Sequence, residues 1–256
     1  MTPSTDASSG FDAPIRLLGE TASTNRDALD WASDGAPHGA AVAADYQTSG
    51  RGRLGRSWAS AAGVNLLVSV VLRPDHMSVA MSEIPFAAAL AAAESLEEQA
   101  SGLQVALKWP NDLIANGGKL GGILVESVTR GGERVAVAGI GLNLNQTSFP
   151  TSLADRATSV LLETGQRVDR DDALRGVLDR LHGWTTGSRS DLMQAYRRRL
   201  IGLGRTVSVR MSDSGRSVSG RFEGVNDDGG AVLEIGGERR IFHAGEITFA
   251  AGGERA

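Results

Sequence analysis

Three arginines alternate with three glycines in one short segment, which has the letters GRGRLGR over residues 50–56. Glycines let backbone N–H groups approach an anion closely, and guanidinium groups bind phosphate or carboxylate through paired hydrogen bonds. This segment, the arginine loop, is therefore predicted to bind an anion through Arg51, Arg53 and Arg56. A basic surface loop without a ligand is the alternative, because runs of charge are commonly solvated.

The same letters match G-x-G-x-x-G, the pattern of a dinucleotide-binding turn, through Gly50, Gly52 and Gly55. That turn needs a helix after its third glycine and a crossover of about a dozen residues to a parallel strand. Only about eight residues separate Gly55 from the strand expected to begin near Val64. The spacing argues against a dinucleotide-binding fold, and the chain contains no G-x-x-x-x-G-K-[ST] phosphate loop.

A lysine surrounded by glycines forms a second candidate site. Lys119 stands between Gly117-Gly118 and Leu120-Gly121-Gly122, at the predicted start of an apolar strand. Glycines within a strand commonly mark the close approach of a ligand or of another chain. A hairpin that exposes its lysine to solvent is the alternative interpretation.

The segment KWPND, residues 108–112, places Lys108 at the end of a predicted strand. Its proline fixes one φ angle and restricts the residue before it, so a turn should present Asn111 and Asp112. These two residues either bind a ligand or serve the turn itself.

Two asparagines near residue 145 form a third candidate site. Strand alternation predicts that Asn143 and Asn145 share one face, where they bind a ligand or end the strand. The histidines are scattered along the chain and form no H-E-x-x-H pattern, so we interpret them as surface or packing residues. They are His38, His76, His182 and His243.

The composition favours a protein with a substantial core and no disulfide bonds. The chain has 256 residues, 41% of them hydrophobic, which suffices for one large domain or for a medium and a small one. A net charge of −4 argues against a generally basic nucleic-acid-binding protein. The absence of cysteine excludes disulfides, thiolate metal sites and a cysteine nucleophile. No membrane-spanning run or signal peptide is evident, so a cytoplasmic location is expected.

The elements that must position these residues begin with a short helix after Ser23-Thr24-Asn25, which Gly35 should end. Buried strands are predicted at GAAVAADYQ and at residues 63–72, and a long helix over residues 82–100 with Ser82 as its cap. The segments LQVALKW, LGGILVESV and ERVAVAGIGLNLN predict three consecutive strands of an antiparallel meander.

The second half of the chain changes from helices to strands. Apolar residues at helical spacing predict helices over residues 157–200, and short alternating strands after Gly202 predict a small β-barrel of about five strands. The fold class is therefore α+β, a mixed and mostly antiparallel sheet with flanking helices followed by a barrel. The expected boundaries are 1–14 for a disordered leader, 15–201 for the larger domain and 202–256 for the barrel.

In combination, these segments resemble the biotin–protein ligases. The matching letters are STN at 23–25, QTSGRGR at 47–53, KWPND at 108–112, GKL at 118–120, GIL at 122–124 and GIGLN at 139–143. They occur in the family's order, and the helices and terminal barrel match its layout. Gly121 stands where the family usually has alanine. About 14 residues precede the catalytic part, so the chain resembles the monofunctional type that lacks an N-terminal DNA-binding domain.

The resemblance implies a catalytic domain like that of class II aminoacyl-tRNA synthetases and an SH3-like C-terminal barrel. It implies that biotin reacts with ATP to give biotinyl-5′-AMP, and that a lysine of an apo biotin carboxyl carrier domain of a carboxylase then accepts the biotinyl group. Mg²⁺ is expected mainly on the ATP phosphates, with Asp112 as the candidate protein ligand.

The resemblance also assigns roles to residues of this sequence. The catalytic residues are Lys119, Arg51 and Arg53. The biotin-binding residues are Ser23, Thr24, Asn25, Gln47, Gly50, Arg51, Gly52, Arg53, Trp58, Lys119, Gly121 and Gly122. The ATP-binding residues are Arg53, Arg56, Trp58, Lys108, Asn111, Asp112, Lys119 and Asn143.

Other functions share parts of this pattern. A lipoate–protein ligase has the same fold and adenylation chemistry, although the arginine loop favours biotin. A protein that binds biotin without turnover is a further alternative. A nucleic-acid-binding protein with an Arg-Gly loop would need aromatic platforms, and only Trp58 lies near the loop. We therefore expect neither DNA nor a membrane as a partner.

Overall fold

A computed structural model of the protein describes residues 10–211 and 215–249. They form a seven-stranded sheet with helices on both faces and a separate five-stranded antiparallel sheet, which confirms the predicted α+β class. The strands of the larger sheet are β1 (Ile15–Thr21), β2 (Ala41–Gln47), β3 (Leu66–Leu72), β4 (Ala106–Lys108), β5 (Asp112–Ala115), β6 (Gly118–Arg130) and β7 (Glu133–Leu142). The helices are α1 (Thr24–Ser33), α2 (Ile84–Gln99), α3 (Val160–Thr164), α4 (Arg170–Thr186) and α5 (Arg189–Arg198).

The order of strands in the larger sheet is β1-β2-β3-β7-β6-β5-β4. Only β1 and β2 pair in parallel, and helix α1 makes the crossover that a parallel pair requires. No such helix follows the arginine loop, because Gly55 ends a single 3₁₀ turn and the next element is strand β3. The chain therefore departs from the dinucleotide-binding fold at this position, as the spacing predicts.

Helix α2 lies at the centre of the molecule, between the larger sheet and helices α4 and α5. Its alanines let these elements approach closely, and its buried leucines, Leu90 and Leu96, each contribute about 1.5–3 kcal/mol to stability. The helix begins at Ile84, so the prediction of Ser82 as its cap is wrong. Glu83 takes that position, where its buried carboxylate accepts a hydrogen bond from the Ala80 backbone N–H at 2.8 Å.

The meander contains four strands, β4 to β7, rather than the predicted three. Strand β5 lies within the segment assigned to a turn, and Asn116 and Gly117 connect it to β6. Both connecting residues have positive φ angles, 45° and 83°, as two-residue hairpin turns require. Strand β1 was also not predicted, because its mostly exposed residues show no alternation of apolar and polar types.

The smaller sheet consists of β8 (Thr206–Arg210), β9 (Ser217–Val225), β10 (Ala231–Ile235), β11 (Glu238–Phe242) and β12 (Glu246–Phe249), in the order β11-β10-β9-β8-β12. It packs against the larger part of the chain. The buried Trp109 indole donates a hydrogen bond to the Gly229 carbonyl at 2.9 Å, and the Lys108 ammonium lies 5.2 Å from the Phe249 ring. These contacts bring strand β12 to the edge of the candidate site. In residues 10–211 and 215–249, no helix has the length and apolar character to cross a bilayer.

The structure brings three of the four histidines together, although they are scattered along the sequence. The His38 ring stacks on His76 at 5.0 Å, and Phe11 contacts the His38 and His182 rings edge-on. Within the described ranges, no group of three potential ligands could hold a metal.

Of the predicted leader, residues 1–9 lie outside the described residues, and the Gly10 backbone N–H donates to Asp179 at 2.6 Å.

The histidine cluster predicts how stability depends on pH. Burial, and then the neighbouring His76, lower the pKa of His38 from 6.5 to about 4. The unfolded chain therefore binds a proton at a pH where the folded chain does not, so stability should fall as the pH decreases from about 6.5 towards about 4. We expect His38→Gln to flatten this fall in thermal unfolding midpoints. The exposed His243→Gln variant is the control, and equal pH slopes in both variants would contradict the assignment.

Candidate active site

A cleft with a volume of about 710 Å³ lies where helix α1, the arginine loop, the centre of the larger sheet and strand β12 meet. Most of the predicted site residues line it, although they come from distant parts of the sequence. They are Ser23, Thr24, Asn25, Gln47, Arg51, Gly52, Arg53, Arg56, Trp58, Lys108, Asn111, Asp112, Lys119, Gly122 and Asn143.

Two predicted residues, Gly50 and Gly121, do not line the cleft. A Cβ atom on Gly50 would lie 2.6 Å from the Trp58 carbonyl oxygen, so glycine is needed where the base of the arginine loop closes. A Cβ atom on Gly121 would meet the Leu142 side chain at 2.7 Å. Because alternate strand residues face opposite sides of a sheet, Gly122 faces the cleft and Gly121 faces the core.

The arginine loop folds back on itself as a narrow hairpin. Arg51 pairs with Ser57, and the Gly52 N–H donates to the Arg56 carbonyl at 2.7 Å. Leu54 and Gly55 turn the chain with φ angles of 56° and 73°, and the left-handed conformation at Leu54 is unusual for a branched residue. The hairpin directs its arginines towards three different elements.

A chain of hydrogen bonds organises the end of the cleft at helix α1. The Thr24 backbone N–H and hydroxyl both donate to Gln47 Oε1, at 2.8 and 3.0 Å. The Ser69 hydroxyl lies 2.8 Å from Thr24 Oγ1 and donates to Asn25 Oδ1 at 2.6 Å. Asn25 Nδ2 in turn donates to Glu126 Oε2 at 2.8 Å. These contacts fix several amide and hydroxyl groups around one end of the cleft.

Sequence reasoning missed Ser69 and Glu126. Ser69 is the polar residue within LLVSVVL, and Glu126 is the charged residue within GILVESV. Buried polar groups need partners, so these two residues were the available signal. The identity of the partners was not readable, because they lie far away in the sequence.

Three of the cations that line the rest of the cleft pair with carboxylates. Lys119 Nζ lies 2.6 Å from Asp112 Oδ1, Arg51 lies 2.7 Å from Glu126, and Arg56 lies 2.8 Å from Glu246. Asp112 is the first residue of strand β5 rather than a turn residue. The carboxylates hold the cations in place at the cleft, and an arriving anion can compete for them.

Arg53 differs from the other loop arginines because it is anchored by neutral acceptors. It donates to Asn111 Oδ1 at 3.2 Å and to the Gly245 carbonyl at 3.1 Å, just before strand β12. Burial lowers the pKa of the Arg53 guanidinium, and the nearby Asp112 and Glu246 carboxylates oppose this shift. Arg53 thus links the arginine loop to the smaller sheet.

The Trp58 indole forms a wall of the cleft. A Cβ atom on Gly141 would lie 2.7 Å from the indole, and the Lys119 ammonium is 5.8 Å from the ring. Trp58 Nε1 is buried and has no hydrogen-bond partner in the described part of the chain. Glycine at position 141 is therefore needed for the ring to lie against the strand.

The two asparagines after strand β7 do not share a strand face, contrary to the prediction. Strand β7 ends at Leu142, so strand alternation does not apply to them. Asn143 lines the cleft and donates to the carbonyls of Lys119 and Thr158, at 3.3 and 3.0 Å. Asn145 instead donates to the Val168 carbonyl at 2.8 Å.

Sequence reasoning also missed the segment after Asn145 as a wall of the cleft. Phe149, Leu153 and Arg156 line it, as do Ile201, Thr248 and Phe249 from the C-terminal part of the chain. The Lys119 backbone N–H donates to the Arg156 carbonyl at 2.7 Å, which fixes this wall beside the lysine. The segment gave no signal because it is irregular, so no periodic pattern marks it in the sequence.

Comparisons with known proteins identify the family of the chain. The family described as "Biotin/lipoate A/B protein ligase family" matches residues 18–145, and "Biotin protein ligase C terminal domain" matches residues 202–249. The biotin–[acetyl-CoA-carboxylase] ligase of Paracoccus denitrificans is 35% identical over 91% of this chain and 99% of that protein. The bifunctional ligase/repressor BirA of Bacillus subtilis is 34% identical over 87% of this chain and 70% of that protein.

A solved structure shows the same fold with ligands. The biotin protein ligase from Aquifex aeolicus in complex with biotin and ATP matches with a TM-score of 0.79 at 30% identity, covering 91% of this chain and 97% of that one. The likeness extends over both sheets. In sequence and in fold, therefore, the chain belongs to the biotin/lipoate A/B protein ligase family and, within it, to the biotin–protein ligases.

Proposed function

We propose that this protein joins biotin to ATP as biotinyl-5′-AMP and transfers the biotinyl group to a lysine of an apo biotin carboxyl carrier domain. The observation that carries the proposal is a single cleft with an amide-lined end at helix α1 and a cluster of cations beside it. The named relatives are biotin ligases, which favours biotin over lipoate as the substrate. The carrier protein is inferred from the reaction class.

In the first step, a biotin carboxylate oxygen attacks the α-phosphorus of ATP, and the bond to pyrophosphate breaks. Both reactants are anions, so the cleft must supply positive charge where they meet. Lys119 is our choice for this position, because Gly122 lies directly beneath its ammonium group and leaves room for close approach. When substrate arrives, the Lys119 ammonium would release Asp112 and donate its hydrogen bonds to oxygens of the reacting groups instead.

The arginine loop serves the phosphates in this proposal. Arg51 and Arg53 steady the phosphate of the adenylate, and Arg56 meets the pyrophosphate end. In the second step, a carrier lysine amine attacks the acyl carbon, AMP leaves, and the amine loses its proton. A loop closed over the mixed anhydride keeps water away from it until the carrier arrives.

Mg²⁺ fits this site as an ion carried by ATP. The described residues offer no group of three or more ligands for a metal, and Mg²⁺ typically binds through phosphates and one or two carboxylates. Asp112, a cleft carboxylate beside Lys119, would hold it together with the phosphates. When bound, the ion would neutralise phosphate charge.

The amide-lined end of the cleft suits the neutral ureido ring of biotin. Ser23, Thr24, Asn25 and Gln47 provide hydroxyl and amide groups at this end. Thr24 and Gln47 hold each other, and Asn25 is held by Ser69 and Glu126. Preorganised groups lose little freedom when a ligand binds, so this end favours a ring of matching donors and acceptors. Trp58, Asn111 and Asn143 complete the nucleotide side.

Replacement of Gly139, which lies against Asn25, by alanine is expected to weaken biotin binding. A Cβ atom on Gly139 would lie 2.0 Å from Asn25 Oδ1, so Gly139→Ala must displace the amide from Ser69. Loss of one or two neutral hydrogen bonds corresponds to a rise of about tenfold in KM for biotin. Gly183→Ala, an open helical position, is the control. Equal KM values in both variants would contradict the assigned role.

Biotin-dependent exchange of pyrophosphate into ATP tests the first step, with lipoate in a parallel reaction. We expect exchange with biotin and Mg·ATP and none with lipoate. Exchange with lipoate alone would overturn the choice of substrate, and binding of biotin without exchange would reduce the protein to a binding module.

A further inference from the structure

Glu126 lies outside the cleft but contacts two residues that line it. One carboxylate oxygen, Oε2, is 2.8 Å from Asn25 Nδ2 and 2.7 Å from an Arg51 guanidinium nitrogen. The Glu126 side chain is about three-quarters buried, with 28% of its surface exposed. The same oxygen therefore joins the amide-lined end of the cleft to the arginine loop.

The two partners of Glu126 differ in how firmly they are held. Asn25 is buried, accepts from Ser69 and donates also to the Leu124 carbonyl at 3.2 Å. The Arg51 guanidinium is about half exposed, and Glu126 is its hydrogen-bond partner within the described residues. The position of Arg51 thus depends on Glu126, and the position of Glu126 depends on Asn25.

We propose that Glu126 is a positioning residue that couples biotin at the Asn25 end of the cleft to closure of the arginine loop. This inference rests on the proposed function. A ligand that fixes Asn25 also fixes the carboxylate, and the carboxylate then holds Arg51 over the cleft. Charge-assisted hydrogen bonds are short and directional, so a displaced Asn25 displaces the arginine with it.

The test uses Glu126→Gln, which keeps the length of the side chain but removes its charge. A glutamine oxygen in the place of Oε2 can still accept from both donors, but it lacks the negative charge that strengthens these hydrogen bonds, so both contacts should weaken. We expect the KM for biotin in the exchange reaction to rise about tenfold with kcat changed less than about twofold. Glu133→Gln is the matched control, because Glu133 pairs with Arg73 at 2.7 Å on the adjoining strand, away from the cleft.

A double-mutant cycle with Arg51→Ala tests whether Glu126 acts on the KM for biotin through Arg51. If Glu126 acts through Arg51, Glu126→Gln should change little in the Arg51→Ala background. Fully additive effects, or a Glu126→Gln variant indistinguishable from Glu133→Gln, would overturn the proposal. A fall in kcat together with a lower unfolding midpoint would also overturn it, because that pattern indicates a purely structural role.

A second readout does not require turnover. Trypsin can cut the arginine loop after Arg51, Arg53 or Arg56, and biotin alone should slow this cleavage about tenfold in the native protein. Glu126→Gln should lose that protection. If biotin gives no protection to the native protein, the coupling is wrong whatever the exchange assay shows, whereas absent exchange with intact protection would contradict the proposed function alone.

Discussion

Replacement of Lys119 by alanine is expected to lower biotin-dependent ATP–pyrophosphate exchange on the order of 10³-fold, as removal of one preorganised charge from a reacting centre commonly does. The Lys119 ammonium lies in the cleft, 2.6 Å from Asp112 and beside the Trp58 ring. Initial rates of exchange measure the effect.

A carboxylate left without its partner could also disturb the site, so the control addresses Asp112. Asp112 is only 16% exposed, and Lys119→Ala removes the cation that lies 2.6 Å from its carboxylate. The double variant Lys119→Ala/Asp112→Asn removes that charge. We expect exchange to stay low in the double variant. Recovery to near the native rate would mean that Lys119 serves only to neutralise Asp112.

Replacement of Arg53 by glycine is expected to release the adenylate before transfer. The variant removes the hydrogen bonds from the arginine loop to Asn111 and to the Gly245 carbonyl. It also adds backbone freedom to a hairpin that already contains three glycines. An open loop no longer shelters the mixed anhydride, which then acylates any amine in solution.

The readout for Arg53→Gly is biotin label on a lysine-rich bystander protein, which we expect to rise about tenfold or more relative to label on the carrier. The chain itself is a poor reporter, because it contains only two lysines, Lys108 and Lys119, and both line the cleft. Arg240→Gly, at the opposite edge of the smaller sheet from β12, is the control. An unchanged ratio of bystander label to carrier label in Arg53→Gly would contradict the role of the loop in sheltering the adenylate.

Much of the site is predictable from the sequence, because residues that shape the backbone locally are recognisable by type and spacing. Glycines that allow close approach flank Lys119, and the short interval after Gly55 excludes a crossover helix. The meander was recognisable from apolar runs separated by turns. Strand β5 was missed because it has four residues, too few for a pattern, and its Asn116-Gly117 turn was absorbed into a longer one.

The parts that could not be predicted depend on long-range contacts. Arg51 and Glu126 are separated by 75 positions, and Arg56 and Glu246 by 190. Neither spacing nor composition reveals such a pairing before the fold is known. The histidine cluster was equally unpredictable, because Phe11 contacts His38 from the loop before β2 and His182 from helix α4. Ser69 and Glu126 each interrupt an apolar run of their strand, but the sequence does not identify their partners.

The most direct test of the account is transfer of biotin to an apo biotin carboxyl carrier domain, detected with streptavidin after incubation with Mg·ATP. We predict label on the carrier that requires both biotin and ATP and is lost in Lys119→Ala. Absence of label from the carrier with the native protein, or label that persists undiminished in Lys119→Ala, would contradict the assignment of biotin activation to this cleft.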